Sequence, residues 1–91
     1  MVRKLLSFTQ HGEAMLVERN ILRAWVEDTI AEPDEVMPDP SKFRAWRAFR
    51  TIPERDGRVL RVVYTESEGK IRIITAFFDR ARRRRVTKGG D

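Results

Sequence analysis

Residues 58–78 read RVLRVVYTESEGKIRIITAFF, and this stretch decides the fold. Its two halves are rich in β-branched and aromatic side chains, and the ESEG segment between them contains the glycine expected of a hairpin loop. The pattern predicts two antiparallel strands, 58–65 and 70–78, with Thr65 facing Lys70 across the loop. The rest of the chain must then supply the layers that cover this hairpin.

The predicted pairing divides the side chains of the hairpin between an apolar face and a mixed face. The apolar face, expected to be the core, carries Leu60, Val62, Tyr64, Ile71, Ile73, Thr75 and Phe77. The mixed face carries Val59, Arg61, Val63, Arg72, Ile74, Ala76 and Phe78. We expect the mixed face to be exposed or to face a ligand.

Upstream of the hairpin, a short strand over 5–8 is followed by two predicted helices. Thr9 is suited to cap a helix that begins near Gln10, and Asn20 tolerates the left-handed conformation that ends one helix and starts another. The second helix ends at Pro33. Its apolar stripe consists of Leu22, Trp25, Val26, Thr29 and Ile30.

The segment from 43 to 52, FRAWRAFRTI, is ambiguous, because aromatic residues at every third position suit a helical turn and a strand about equally. A strand is favoured, since PERDG (53–57) then supplies the turn into the next strand. The fold expected from these patterns is α+β, with two N-terminal helices packed on a three- to four-stranded antiparallel sheet. This domain spans 1–79, and residues 80–91 form a basic tail.

The composition limits the classes of function. The 91-residue chain has no cysteine and one histidine, which excludes disulfides and thiolate catalysis, and neither a metal site nor a cofactor is expected. No apolar run approaches the roughly 20 residues of a membrane span. No signal-peptide core is evident either, so we expect a cytoplasmic protein without a membrane partner. The net charge of +5 is concentrated in residues 79–91, which carry six basic and two acidic side chains, and this suggests a polyanionic partner.

The remaining chemistry is that of histidine and arginine, which can cleave RNA without a metal ion. Such cleavage needs a group that transfers a proton and fixed positive charge at the phosphate. His11, near the second position of its helix, is the candidate for proton transfer, and Arg61 and Arg72 are the candidates for holding the phosphate. The alternatives are a histidine that only bonds its neighbours and arginines that only keep the sheet soluble.

Further arginines are candidates for binding nucleic acid. They are Arg47, Arg50, Arg82, Arg83, Arg84 and Arg85. Which of Arg47 and Arg50 joins the hairpin arginines depends on a strand register that the sequence does not fix. Phe43, Trp46 and Phe49 alternate with arginines and can stack on unpaired bases, although packing is the commoner use of such rings.

The stretch 8–21, FTQHGEAMLVERNI, resembles the F-T-x-H-A-x-x-R-M-x-E-R-x-I signature of a bacterial family of unknown function, number 4258. The signature residues present are Phe8, Thr9, His11, Glu18, Arg19 and Ile21. Gly12 stands where the family usually has alanine. The resemblance implies a strand over 43–52 and a fold related to RelE-like and BrnT-like ribonuclease toxins, but it supplies no assigned activity.

The leading hypothesis is therefore an RNA-binding protein with metal-independent endoribonuclease activity, neutralised by a separate antitoxin protein. The alternatives are a non-catalytic module that binds nucleic acid and a protein-interaction domain. The sequence leaves open whether the protein forms a homodimer.

Overall fold

The hairpin lies inside a five-stranded sheet in the computed structural model, which describes residues 5–82. The helices and strands, in chain order, are β1 (Leu5–Phe8), α1 (Gln10–Glu18), α2 (Arg23–Ala31), β2 (Glu35–Pro38), β3 (Ala45–Ile52), β4 (Arg58–Ser67) and β5 (Lys70–Asp79). Two 3₁₀ turns are formed by Pro53–Arg55 and Arg80–Arg82.

The strand order in the sheet is β1-β5-β4-β3-β2. Strand β1 runs parallel to β5, and every other neighbouring pair is antiparallel. The fold is therefore α+β as predicted, but the expectation of three or four antiparallel strands was wrong. The sheet is mixed, because β1, at the start of the chain, lies parallel to β5 at one edge of the sheet. The short β2 adds an antiparallel strand at the other edge.

The two helices form where the sequence predicts them. The Thr9 Oγ1 atom accepts a hydrogen bond of 2.9 Å from the backbone N–H of Gly12, which caps α1. Asn20 has a φ of 56° and forms the corner between the helices. Trp25, Val26 and Thr29 of α2 are buried, whereas Leu22 is exposed.

The β4–β5 hairpin has a tighter turn than predicted. Glu68 and Gly69 alone form it, with φ values of 52° and 77°, and Ser67 pairs with Lys70. The expected pairing of Thr65 with Lys70 was wrong, because a turn with two positive φ angles needs only two residues and lets the strands extend further.

A β-bulge interrupts the hairpin at Ile74. Tyr64 pairs with Ile73, but the preceding residue, Val63, pairs with Thr75, so Ile74 is left without a counterpart on β4. A bulge adds one residue to one strand and changes the direction in which the following side chains point.

The bulge explains why half of the predicted face assignment on β5 was wrong. Beyond Ile74, the core side chains are Ala76 and Phe78, whereas Thr75 and Phe77 point to the opposite face. Without the bulge, a period of two would have kept the predicted order along the whole strand.

The main hydrophobic core lies between the helices and one face of the sheet. Its buried members are Leu16, Ile21, Trp25, Val26, Ala48, Ile52, Leu60, Val62, Tyr64, Ile71, Ile73 and Ala76. Leu6, Phe8, Ile30 and Phe78 pack around it and are partly buried. The predicted strand over 43–52 is confirmed from Ala45 onward, and its even-numbered residues Ala48 and Ile52 reach this core.

Helix α1 lies along the edge of β5, where β1 ends. The backbone N–H of Thr9 donates to the Ile73 carbonyl at 2.9 Å, and its hydroxyl donates to the Ile74 carbonyl at 3.3 Å. The Arg19 guanidinium donates to the Ala76 carbonyl at 2.9 Å. The helix therefore satisfies carbonyl groups that a neighbouring strand would otherwise pair.

Candidate nucleic-acid interface

The face of the sheet opposite the helices carries four arginines and is called the arginine face below. Arg47, Arg61 and Arg72 project from β3, β4 and β5, and Arg82 lies over this face from the C-terminal 3₁₀ turn. Arg50 projects from the opposite face, because it is three positions after Arg47 on β3 and side chains alternate between the two faces along a strand. Its guanidinium donates to the Glu32 carbonyl at 2.6 Å, at the end of α2.

Guanidinium groups and phenyl rings alternate across the arginine face. Phe49, Arg61 and Phe77 are cross-strand neighbours on β3, β4 and β5. The Arg61 Cζ lies 5.6 Å from the centre of the Phe49 ring and 4.7 Å from that of Phe77. The Arg82 Cζ lies 4.0 Å from the centre of the Phe49 ring. Arg19 extends around the edge of β5, and its Cζ lies 5.7 Å from the centre of the Phe77 ring. These distances are within the range of cation–π attraction.

Asp79 neutralises Arg61 at the centre of this row. Its Oδ2 atom accepts hydrogen bonds from Arg61 Nε, at 3.0 Å, and from Arg61 Nη2. Its side chain is only 5% exposed, and that of Arg61 is 19% exposed. Burial opposes ionisation of the carboxyl, but the bonds from Arg61 and the positive charge of Arg61 outweigh it and lower the pKa of Asp79. Arg61 is therefore held in place by a carboxylate.

Two further arginines of this face are also paired. Arg47 Nε donates to Asp39 Oδ2 at 3.2 Å, and Arg82 forms an ion pair with Glu35 and contacts the Met37 sulfur at 3.7 Å. Residues 80–82, which the sequence assigns to the tail, thus form a turn that contacts the sheet. Arg83, Arg84 and Arg85 lie outside the described residues.

Arg72 and His11 are exposed and have no hydrogen-bond or ion-pair partner within residues 5–82. Arg72 is paired with Thr65, four positions along β4 from Arg61, so the two arginine backbones are about 13 Å apart. Asp79 pairs with Val59 on β4 and bonds to the Arg61 guanidinium. The guanidinium is therefore directed toward the end of β4 that is remote from Arg72. His11 is on α1, and no described contact joins it to either arginine. The fold therefore separates Arg61 from Arg72.

The β2–β3 loop and the start of β3 present two aromatic rings that the sequence could not distinguish from core residues. Phe43 is 85% exposed and Trp46 is 41% exposed, whereas Phe49 is 2% exposed. Phe43 and Trp46 line one groove of about 400 Å³, formed by residues 38–46. Of the three rings proposed for base stacking, only these two are therefore accessible.

A second cleft, of about 500 Å³, lies at the opposite end of the sheet. Asp56, Arg58, Asp79 and Arg80 line it. Of its two carboxylates, Asp79 is already bonded to Arg61, and only Asp56 is left beside the two guanidinium groups.

Charge is distributed unevenly along the chain. Residues 10–34, which include both helices, carry six acidic and two basic side chains, a net charge of −4. Residues 35–82, which include four of the five strands, carry seven acidic and eleven basic side chains, a net charge of +4. Arg50 and Arg55 of the second segment lie beside the helices, where they donate to the Glu32 and Asn20 carbonyls, so the two sides of the molecule differ in charge by less than the two segments do.

Within residues 5–82, no group of three or more histidine, aspartate or glutamate side chains could hold a metal ion. No helix in the same range is long and apolar enough to span a membrane.

The fold and charges define a small α+β domain with an acidic helical layer and an arginine-bearing sheet. Residues 8–78 match the model of the family described as Domain of unknown function (DUF4258), and the chain belongs to that family. Neither a curated protein nor a solved structure matches the chain.

Proposed function

We propose that the protein binds RNA through the arginine face of its sheet. The observation that carries this proposal is a sheet face with four arginines, among which Arg72 is exposed and has no partner within residues 5–82. Phosphate groups are attracted to clustered arginines with the release of counterions. The acidic helices disfavour binding on the other side, so the field of the molecule orients the RNA toward the sheet.

Arg72 is the arginine best suited to make the first contact with phosphate. It is exposed and has no carboxylate partner within the described part of the chain, so binding requires no existing ion pair to break. Arg47, Arg61 and Arg82 are each paired with a carboxylate, and their charge is largely offset. Arg83, Arg84 and Arg85 follow Arg82 in sequence and add further positive charge.

The test compares two charge-neutralising variants at different places. Arg72→Gln should weaken RNA binding about fivefold or more, measured by fluorescence anisotropy at low salt, because one phosphate contact is lost. Arg23→Gln removes the same charge from α2 on the helical layer and should change the affinity by less than about twofold. Equal losses in both variants would contradict the proposed face.

Truncation after Arg82 tests the contribution of the last nine residues. Removal of their four basic side chains should weaken binding and reduce its salt dependence. If the truncated protein retains no affinity even at low salt, the tail alone is the binding element and the arginine face is not. Absence of RNA binding by the full-length protein would favour a protein-interaction domain.

The proposal extends to cleavage of the bound RNA, in the manner of RelE-like or BrnT-like toxins and under control of an antitoxin. His11 and Arg72 support it, because both are exposed and without partners among residues 5–82. The role proposed for Arg61 requires its ion pair with Asp79 to open. A non-catalytic binding module needs no such rearrangement.

Cleavage is tested by incubating RNA and translating ribosomes with the protein in the presence of EDTA. His11→Ala and Arg72→Ala should abolish cleavage, whereas Arg61→Ala should reduce it only if the Asp79 pair opens during the reaction. Unchanged cleavage in His11→Ala would remove His11 from the mechanism. Binding without cleavage by the unmodified protein would establish the non-catalytic module.

A further inference from the structure

Two aromatic rings near the β2–β3 loop are exposed to solvent. A buried aromatic side chain removes about 150–250 Å² from water, which makes such rings strong contributors to a core. Phe43 on the loop is nevertheless 85% exposed, and Trp46, the second residue of β3, is 41% exposed. Both rings line the same groove, so a ligand in the groove would contact both.

The loop that carries Phe43 and leads to Trp46 is ordered by its own hydrogen bonds. Asp39 Oδ1 accepts bonds of 2.8 Å from both the backbone N–H and the hydroxyl of Ser41. The backbone N–H of Ala45 donates to the Lys42 carbonyl at 3.1 Å, which closes a tight turn with Phe43 and Arg44 at its corners. The turn points the Phe43 ring away from the protein and limits the entropy that binding would cost.

Arg44 shows that this turn is maintained at an energetic cost. Its φ is 61°, in the left-handed region that residues other than glycine and asparagine seldom adopt. Glycine at this position would satisfy the backbone better. The arginine instead places a guanidinium 5.2 Å from the centre of the Phe43 ring, beside the groove.

The charge around the groove is positive. Lys42 and Arg44 are exposed, and the one carboxylate in the lining, Asp39, is bonded to Ser41 and to Arg47. These bonds hold the pKa of Asp39 below its usual range despite its burial, which opposes ionisation. The exposed polar groups available to a ligand are therefore cationic, next to two aromatic rings.

The loop and Arg72 are at the same end of the sheet. Ala45, directly after the loop, pairs with Thr65 on β4, and Thr65 pairs with Arg72 on β5. The loop end of β3 and the Arg72 backbone are thus two strand spacings apart, about 10 Å. Trp46 pairs with Tyr64, so its side chain projects from the helix-bearing face of the sheet, whereas Arg72 projects from the arginine face. The cations beside the rings are therefore Lys42 and Arg44, and Arg72 is on the other side of the sheet.

We infer that the ligand is single-stranded nucleic acid, with unpaired bases stacked on Phe43 and Trp46 and phosphates bound by Lys42 and Arg44. This inference rests on the proposed function and specifies its substrate class. A base in a duplex has both faces covered by its neighbours, so only an unpaired base can use these rings. Arginine and lysine beside the rings supply the attraction for the phosphates.

The experiment uses the full-length protein and a short mixed-sequence RNA, alone or annealed to its complement. Phe43→Ala should weaken binding of the single strand about tenfold and leave duplex binding within about twofold. Phe43→Tyr should retain the affinity, because it retains a ring for stacking. Phe43→Leu should lose most of it, because it retains apolar area without a π-face. Val17→Ala, which truncates an exposed apolar residue on α1, is the matched control and should have no effect.

Fluorescence provides a second readout. Trp46 is partly exposed and Trp25 is buried, so RNA should quench the emission of Trp46. Trp46→Phe should retain binding but lose the quenching. A single-stranded DNA of the same sequence should bind with comparable stacking, and a preference for RNA would indicate contacts to the 2′-hydroxyl.

The outcomes separate this inference from the proposed function. Equal affinity for single strand and duplex, or an unchanged affinity in Phe43→Ala, would overturn the single-strand inference while leaving RNA binding intact. Failure of the unmodified protein to bind either RNA at low salt would overturn the proposed function as well.

Discussion

Asp79 holds the Arg61 guanidinium against the Phe77 ring and accepts a hydrogen bond of 2.9 Å from the Ala81 backbone. One carboxylate thus fixes the centre of the arginine face and the start of the C-terminal 3₁₀ turn. Because both charged groups are largely buried, neither can lose its partner without leaving a poorly solvated charge.

Replacement of Asp79 by Asn should lower the free energy of unfolding by about 2–4 kcal/mol, because Arg61 is left without its counter-charge. The folded-state pKa of Asp79 is lowered below its unfolded value, so the unfolded chain binds more protons than the folded chain as the pH falls through the acid range. The stabilisation is complete above the unfolded pKa and is lost as the pH falls through the folded pKa. Urea unfolding across the acid range should therefore show a smaller loss of stability in the variant. Asp28→Asn, on exposed α2 surface, should behave like the unmodified protein.

Gly12 permits α1 to approach β5 closely. A Cβ atom at this position would lie 2.8 Å from the Ile73 carbonyl oxygen and 3.3 Å from that of Ile74, and both are backbone atoms. Gly12→Val should therefore lower the melting temperature markedly, with a loss of about 2–3 kcal/mol from overpacking. Ala14→Val, on the exposed side of the same helix, should cost only about 0.5 kcal/mol of helix propensity. Similar losses in the two variants would mean that the helix shifts to accommodate the branched side chain.

At the scale of elements, the hairpin is determined by its turn and its bulge together. The turn at Glu68 and Gly69 sets the register near Lys70, and the bulge at Ile74 changes it for the rest of β5. As a result, Phe77 points to the arginine face instead of the core. The row of rings and guanidinium groups on that face depends on this one extra residue.

The hairpin turn should respond to substitutions that suit its two positive φ angles. Glu68→Asn should stabilise the protein by about 0.5–1 kcal/mol, because Asn-Gly is the preferred pair for such a turn. Gly69→Ala should destabilise it by about 1 kcal/mol through backbone strain alone, since an added Cβ would have no atom within 4 Å. Thermal unfolding of both variants checks the prediction, and a loss of stability in Glu68→Asn would contradict it.

Local signals in the sequence were sufficient for most of the elements. The Thr9 cap, the Asn20 corner and the hairpin each depend on a few adjacent residues, and the sequence predicts all three. Strand β2, EVMP, was missed because four residues with an acidic start and a terminal proline show no strand pattern. The pairing of β1 with β5 was missed because residues more than 60 positions apart must meet, and no local pattern encodes that contact.

The candidate site could be predicted only in part, for a related reason. The sequence indicates which residues are arginines and aromatic rings, but their partners depend on register. Arg47 and Arg50 could be assigned to faces only once β3 was aligned with β4. The bond between Arg61 and Asp79 joins positions on two strands whose alignment depends on the bulge. Exposure of Phe43 depends on a loop conformation that the spacing of aromatic residues does not reveal.

On the scale of the whole molecule, negative charge is concentrated in the helical segment. Residues 10–34 carry −4 and residues 35–82 carry +4, and Arg50 and Arg55 of the second segment offset part of the negative charge beside the helices. The field of such a charge distribution acts at long range when the salt concentration is low, and it orients a charged partner before contact.

Removing negative charge from the helical layer should therefore change the association rate of RNA more than its dissociation rate. The double variant Glu27→Gln/Asp28→Asn should raise the association rate severalfold at low salt and leave the dissociation rate nearly unchanged. Stopped-flow measurements at low and high salt check this, because screening should abolish the difference. A change confined to the dissociation rate would indicate that the helices contact the RNA directly.

The positions of α1 and β2 also bear on how copies of this protein behave at high concentration. At one border β1 is four residues long and helix α1 blocks the carbonyl groups of β5 beyond Ile73, and at the other border β2 is four residues long and ends in Pro38. Neither border offers a long template on which the strand of another molecule could be added. The folded protein should therefore resist fibril formation, and seeding with preformed fibres should not recruit it until α1 is detached.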